Sequence, residues 1–173
     1  MLTSTVNSML FTIRKLQRGD KDPIRYILEE TNVFTSDEID IAVELIDIFL
    51  DDPKQQDYHI YTGIDEQNNV VGYVCVGPTP LTEGTFDLYW IVVKPSVHGK
   101  GFGRQLLQKA EQFAEERNGR LLIAETSSLP KYEPTRTFYD KNHYVEISRI
   151  KDYYRSGDDL IIYGKYLSQS GGS

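Results

Sequence analysis

Seven residues, His98-Gly99-Lys100-Gly101-Phe102-Gly103-Arg104, carry the clearest chemical signal in the chain. They follow the apolar run Ile91-Val92-Val93 and precede an amphipathic segment, so they join a strand to a helix. Glycine takes positive φ at no steric cost and leaves no Cβ between backbone and ligand. N–H groups at a helix start, backed by the helix dipole, attract an anion. Successive amides from Gly99 to Arg104 therefore read as a cradle for a pyrophosphate, with Lys100 and Arg104 as candidate sources of added charge.

Three carboxylates are placed to act as a general base. Asp87 lies on the strand entering the loop, Glu125 just past Leu121-Leu122-Ile123-Ala124, and Glu83 in the loop before that strand. Strict alternation puts Asp87, Tyr89, Ile91 and Val93 on one strand face. A water chain with no direct base is the alternative to all three. Other chemistries fare worse. His59, His98, His143 and Cys75 are not spaced as metal ligands, so no metal is expected. Ser127-Ser128 lacks the nucleophile-elbow context of a hydrolase.

The elements that position these residues follow from periodicity. Phe11 to Leu16 alternates as a strand. Helices are expected over about Lys21 to Thr31, capped by Asp20 or Asp22, and from Ser36 to about Leu50. Tyr58 to Ile64 and Val70 to Val76 read as a hairpin around Asn68-Asn69. Thr85 to Val93 is a strand, and Gly101 to about Arg117 a helix stopped at Asn118-Gly119. Leu121 to Ala124 is a buried strand and Pro134 to about Asn142 a short helix. Strands near Val145 to Tyr153 and Leu160 to Tyr166 finish the order β-α-α-β-β-β-α-β-α-β-β. The fold class is therefore α/β, a central mixed sheet with helices on both faces and two parallel strands flanking the glycine-loop helix.

With 173 residues and 39% hydrophobic content, residues 1–167 are expected to form a single domain. The segment 168–173 reads as a disordered or artificially appended tail. One cysteine, Cys75 in an apolar run, is expected buried and reduced, which favours a cytoplasmic setting. The stretch Met1 to Leu10 is too short and polar for a signal peptide, and no run is long enough to span a membrane. A net charge of −7 argues against nucleic acid and towards a cationic partner.

Which phosphate ligand fits is decided by motif. No Gly-Lys here precedes Ser or Thr, so the nucleotide P-loop is absent. The dinucleotide pattern fails as well, because its third glycine falls on Arg104 or Leu106. Val93-x-Pro95, then His98-Gly99-Lys100-Gly101-Phe102-Gly103 and Leu106-Leu107, resembles the acetyl-CoA loop of the GNAT superfamily of N-acetyltransferases. The family's core is Gln/Arg-x-x-Gly-x-Gly/Ala; His98 replaces the first residue, while Gly101 and Gly103 match. A second block from Thr135 to Tyr144 resembles the family's Ala-x-x-Phe-Tyr-x-x-x-Gly-Phe. There Phe138 and Tyr139 match, Thr135 stands for Ala, His143 for Gly and Tyr144 for Phe. The similarity in element order runs from Phe11 to about Leu167.

The resemblance implies acetyl-CoA as cosubstrate, with its pantetheine arm along Ile91-Val92-Val93 and its pyrophosphate on His98 to Arg104 near Phe102 and Phe138. It implies acetyl transfer to a primary amine by direct attack in a ternary complex. A main-chain N–H near Val93 would polarise the thioester carbonyl, worth about 3 kcal/mol for a good donor. Tyr139 would be the general acid. Asp87, six residues before Val93, matches the base position of histone-acetyltransferase-type members. The first two helices would wall the acceptor site. Eleven acids lie between Asp20 and Asp52, which suits a small cationic amine or a lysine-bearing protein. The resemblance also allows a homodimer. A non-catalytic acyl-CoA-binding module is the alternative, and it would have no use for Tyr139.

Overall fold

The computed structural model describes residues 11–167, so the expectations for Met1 to Leu10 and for Ser168 to Ser173 lie outside the described residues. Eleven main elements follow the expected order: β1 (Thr12–Lys15), α1 (Lys21–Glu30), α2 (Ser36–Asp51), β2 (His59–Ile64), β3 (Val70–Pro78), β4 (Thr85–Val93), α3 (Phe102–Glu115), β5 (Leu121–Ser127), α4 (Glu133–Lys141), β6 (Val145–Arg155) and β7 (Asp158–Tyr166). The strands form one sheet in the order β1-β2-β3-β4-β5-β7-β6. Among the described residues only β4 and β5 run parallel, with α3 as their crossover.

Each face of the sheet carries its own core. On one side, Leu106, Leu107, Ala110, Phe113 and Ala114 of α3 pack with Val74, Val76, Phe86, Leu88 and Leu122, and Tyr139 joins from α4. On the other, Ile24, Ile27 and Leu28 of α1 and Ile39, Ala42, Val43 and Ile46 of α2 cover Ile60, Tyr73, Cys75 and Val92. Each helix thus buries one stripe at 3.6-residue spacing. Cys75 is buried as expected, and burial pushes its thiol well up.

Local chemistry sets the ends of these elements. Thr35 and Glu38 form a reciprocal capping box at the start of α2. The helix after the glycine loop begins at Phe102, one residue later than expected, because Gly101 is its left-handed cap at φ 85. Its far end turns through Asn118 at φ 58 rather than through Gly119. Asp20 precedes α1 but makes no cap bond. Its buried carboxylate instead takes two bonds from Arg14, at 2.6 and 2.9 Å, and one from the Gln17 amide. Burial pushes this carboxyl up, but those donors outweigh it and hold Asp20 below its ordinary range.

The expected alternation along β4 fails at Tyr89. Cys75 lies opposite Trp90, yet the next residue, Val76, lies opposite Leu88. Tyr89 is an extra residue, a β-bulge that switches the faces of everything beyond it. Asp87 and Tyr89 therefore share the α1/α2 side with Trp90, while Ile91 and Val93 join the α3 core. Asp87, Tyr89, Ile91 and Val93 do not lie on one face.

Candidate active site

The bulge decides where ligand can enter. The parallel pairing of β4 with β5 covers Thr85↔Leu121, Phe86↔Leu122 and Asp87↔Ile123, and ends there. Both strands continue, β4 to Val93 and β5 to Ser127. From Leu88 to Val93, β4 is held by β3 alone, so its other edge opens onto a cleft. That cleft is a cavity of about 590 Å³, a size suited to a small-molecule ligand. Leu88 to Ile91 form one lip and Glu125 to Ser127 the other. Phe34, Glu38 and Ile41 close it from α2 and the turn before it, Tyr132 and Tyr139 from the α4 side, and Tyr154 from β6.

Glycine conformation shapes the end of β4. Pro95–Val97 forms one tight turn, and Gly99 and Gly101 follow at φ 74 and φ 85. Both values lie where a side chain is strained. A Cβ built on either glycine would meet nothing within 4 Å, so the ground before the loop is open. Gly103 is tight for another reason, since a Cβ there would stand 3.1 Å from the Phe138 ring. The first-turn N–H groups of α3 have no acceptor within the helix. His98 turns back to Val93, its Nε2 2.8 Å from the Val93 carbonyl oxygen, and so ties the loop to the strand. Lys100 and Arg104 stand exposed beside it. These residues fit a pyrophosphate in backbone geometry, charge and free space.

The model of the acetyltransferase (GNAT) family matches residues 22–144, which is most of the chain. The chain belongs to this family. A solved structure assigned to the GNAT acetyltransferases, from Desulfovibrio desulfuricans, is 40% identical, with 92% of this chain and 100% of that one covered at a TM-score of 0.86. The ribosomal-protein-S18-alanine N-acetyltransferase of Escherichia coli shares the fold at 18% identity, covering 95% of this chain and 98% of that one at a TM-score of 0.72. An aminoglycoside 6'-N-acetyltransferase complexed with coenzyme A shares it at 16% identity, with 93% and 99% covered and a TM-score of 0.70. No curated protein matches the sequence.

Within this GNAT fold the expected site residues divide. Ile91, Tyr139 and Glu125 line the cleft. Phe138 lies against Gly103 at the cradle, and Phe102 is buried, stacked on Phe11 at 4.4 Å. Val92 faces the opposite core under α1 and α2. Tyr139 is buried between Tyr144 and Tyr163, and this burial pushes its phenol well up. His143, at the family's glycine position, does sit at positive φ, 66°. Glu83 is exposed and stands outside the cleft lining; its carbonyl accepts from Arg120.

The carboxylates separate by partner. Glu125 lies inside β5, not past its end, opposite Ile162 of β7. Glu38 accepts from the Thr35 amide at 2.7 Å and the Tyr132 hydroxyl at 3.1 Å. Asp158 accepts from Ser127 at 2.5 Å and Arg155 at 3.4 Å. Asp87 accepts from Thr79 Oγ1 at 2.7 Å and lies outside the large cavity. Among the described residues, Glu125 is the cavity carboxylate with no hydrogen-bond or ion-pair partner. Burial, and then the charge of Asp87, hold its carboxyl above the ordinary range.

The expected acidic wall shrinks to one residue, since of its eleven acids only Glu38 lines the cavity. Asp20, Asp51, Asp47, Asp40 and Glu29 are paired with Arg14, Arg18, Lys21 and Arg25. Thr79, the donor to Asp87, stands outside the cleft, whereas Trp90, Tyr132, Tyr154 and the Ser127–Asp158 pair line it. Their sequence neighbourhoods carry no motif, and only the cleft brings them together. Among the described residues no helix is long and apolar enough to cross a membrane.

Proposed function

We propose that this protein transfers an acetyl group from acetyl-CoA to a primary amine, by direct attack within a ternary complex. One observation supports the reading: an unpartnered carboxylate, Glu125 of β5, and a buried tyrosine, Tyr139 of α4, line the same cavity at the open edge of β4. Acetyl-CoA supplies an activated thioester whose carbonyl the amine attacks.

The chain's own residues do the rest. Amides from Gly99 to Arg104 bind the pyrophosphate, and the open edge of β4 from Ile91 to Val93 orients the pantetheine arm. A main-chain N–H near Val93 stabilises the developing oxyanion. Glu125 takes a proton from the incoming ammonium. A raised carboxyl suits this task, since an alkylammonium loses its proton only near pH ~10. Tyr139, kept protonated by its burial, donates to the departing sulfur and regains a proton through water from the acylated nitrogen, which thereby loses its surplus proton. Phe34, Trp90 and Ile41 exclude water around the amine.

Thiol release from acetyl-CoA, measured across a panel of primary amines, tests the reading. Amine-dependent release that Glu125→Gln abolishes supports it. Tight coenzyme A binding with no release for any amine would favour the binding-module alternative.

A further inference from the structure

Glu125 borders two cavities. Besides the large cleft, it lines a smaller one of about 250 Å³ together with Asp87, Leu88, Tyr89 and Ile123. This second cavity begins where the parallel pairing ends, at Asp87↔Ile123. It exists because the bulge at Tyr89 carries β4 away from β5. Its volume is enough for several waters, each needing about 30 Å³. Its one full carboxylate besides Glu125 is Asp87, fixed from behind by the Thr79 hydroxyl at 2.7 Å. Leu88, Tyr89 and Glu125 line both cavities, and of these three Glu125 is the carboxylate, able to take a proton on the substrate side and release it on the Asp87 side.

We infer that the small cavity is the proton outlet of the reaction, and that Asp87 is a positioning residue that acts through Glu125 and never touches the amine. The inference rests on the proposed role of Glu125 as base. The ammonium gives one proton to the Glu125 carboxylate and becomes a neutral nucleophile. Glu125 then passes that proton through water to the Asp87 end and to solvent, and returns to its ionised form. No other atom or electron moves. The negative charge of Asp87 draws the proton outward and, in the resting enzyme, opposes ionisation of Glu125.

The other charged or titratable groups around Glu125 do not reproduce this arrangement. Glu38 of α2 and Asp158 of β7 carry charge at the substrate side, and both are held by donors. Arg155 is committed to Asp158, and Lys131 to the Val33 carbonyl. The phenols of Tyr89, Tyr132, Tyr139 and Tyr154 are all pushed up and hold their protons.

The test is the pH dependence of kcat/KM for three variants, with coenzyme A affinity by calorimetry as the control for folding. Asp87→Asn should move the acidic limb to lower pH by about half a unit to one unit. It should also lower the kcat plateau, and small buffer bases such as imidazole should restore part of it. Thr79→Val, which leaves Asp87 in place without its donor, should move the limb the same way by less. Glu125→Gln should remove the limb. A limb that stays put in Asp87→Asn while Glu125→Gln removes it would overturn the outlet alone. A limb that survives Glu125→Gln would overturn the base assignment itself. Coenzyme A affinity should be unchanged in all three.

Discussion

The C-terminal end of β4 and its middle both border open space, but they are built by different means. At the end, main-chain geometry makes the site: Gly99 and Gly101 at positive φ, a tight turn, and the first amides of α3. At the middle, side chains from α2, β4, β5, α4, β6 and β7 make it, meeting where β4 and β5 part beside the bulge at Tyr89. In the proposed reaction the first region would hold the cosubstrate's diphosphate, whatever the acceptor. The second must suit one acceptor. Backbone recognition survives many substitutions, whereas a cleft assembled from side chains can be retuned one residue at a time.

Separate perturbations of the two regions should therefore give separable kinetics. The largest effect should come from the cleft: Glu125→Gln should lower kcat by about a hundredfold or more, the usual scale for a lost general base, with coenzyme A affinity intact. Tyr139→Phe keeps the aromatic packing against Tyr163 and removes only the hydroxyl. It should lower kcat by about ten- to a hundredfold in steady-state assays, again without weakening coenzyme A. Equal losses in kcat and in coenzyme A affinity for either variant would break the division.

Asp20→Asn probes the scaffold behind the α1/α2 wall. Breaking a buried ion pair costs about 3–5 kcal/mol. Arg14 keeps 24% of its side chain in water, so about 2 kcal/mol is expected here, read as a lower midpoint in urea. The sign with pH follows from a carboxyl held below its ordinary value. The wild-type advantage is full above the unfolded-state value of about 4. It is lost as pH falls through the lower folded-state value. The two proteins should converge in stability in strong acid.

Gly101→Ala should give the smallest effect and a different signature. Forcing alanine to φ 85 costs about 1–2 kcal/mol, or roughly tenfold in coenzyme A affinity by calorimetry, with kcat at saturation nearly unchanged.

The local features were legible in the sequence because their causes are local. The element order, the cradle glycines, the turn at Asn118 and the burial of Cys75 each follow from a few neighbouring residues and their periodicity. His143, which stands where the family has glycine, takes positive φ at the turn after α4. Cross-strand register has no such local cause. Nothing in Asp87-Leu88-Tyr89-Trp90 announces an extra residue, because a bulge is defined by what lies opposite, here Cys75 and Val76. Asp87 is still paired with β5, at Ile123, and lies outside the large cavity, which leaves Glu125 as that cavity's unpartnered carboxylate. Asp20 tells the same story, a cap by position that became the partner of Arg14 on another element. Covalent neighbours determined the positive-φ glycines and the helix start after β4; long-range pairing alone decided which carboxylate lines the cleft without a partner.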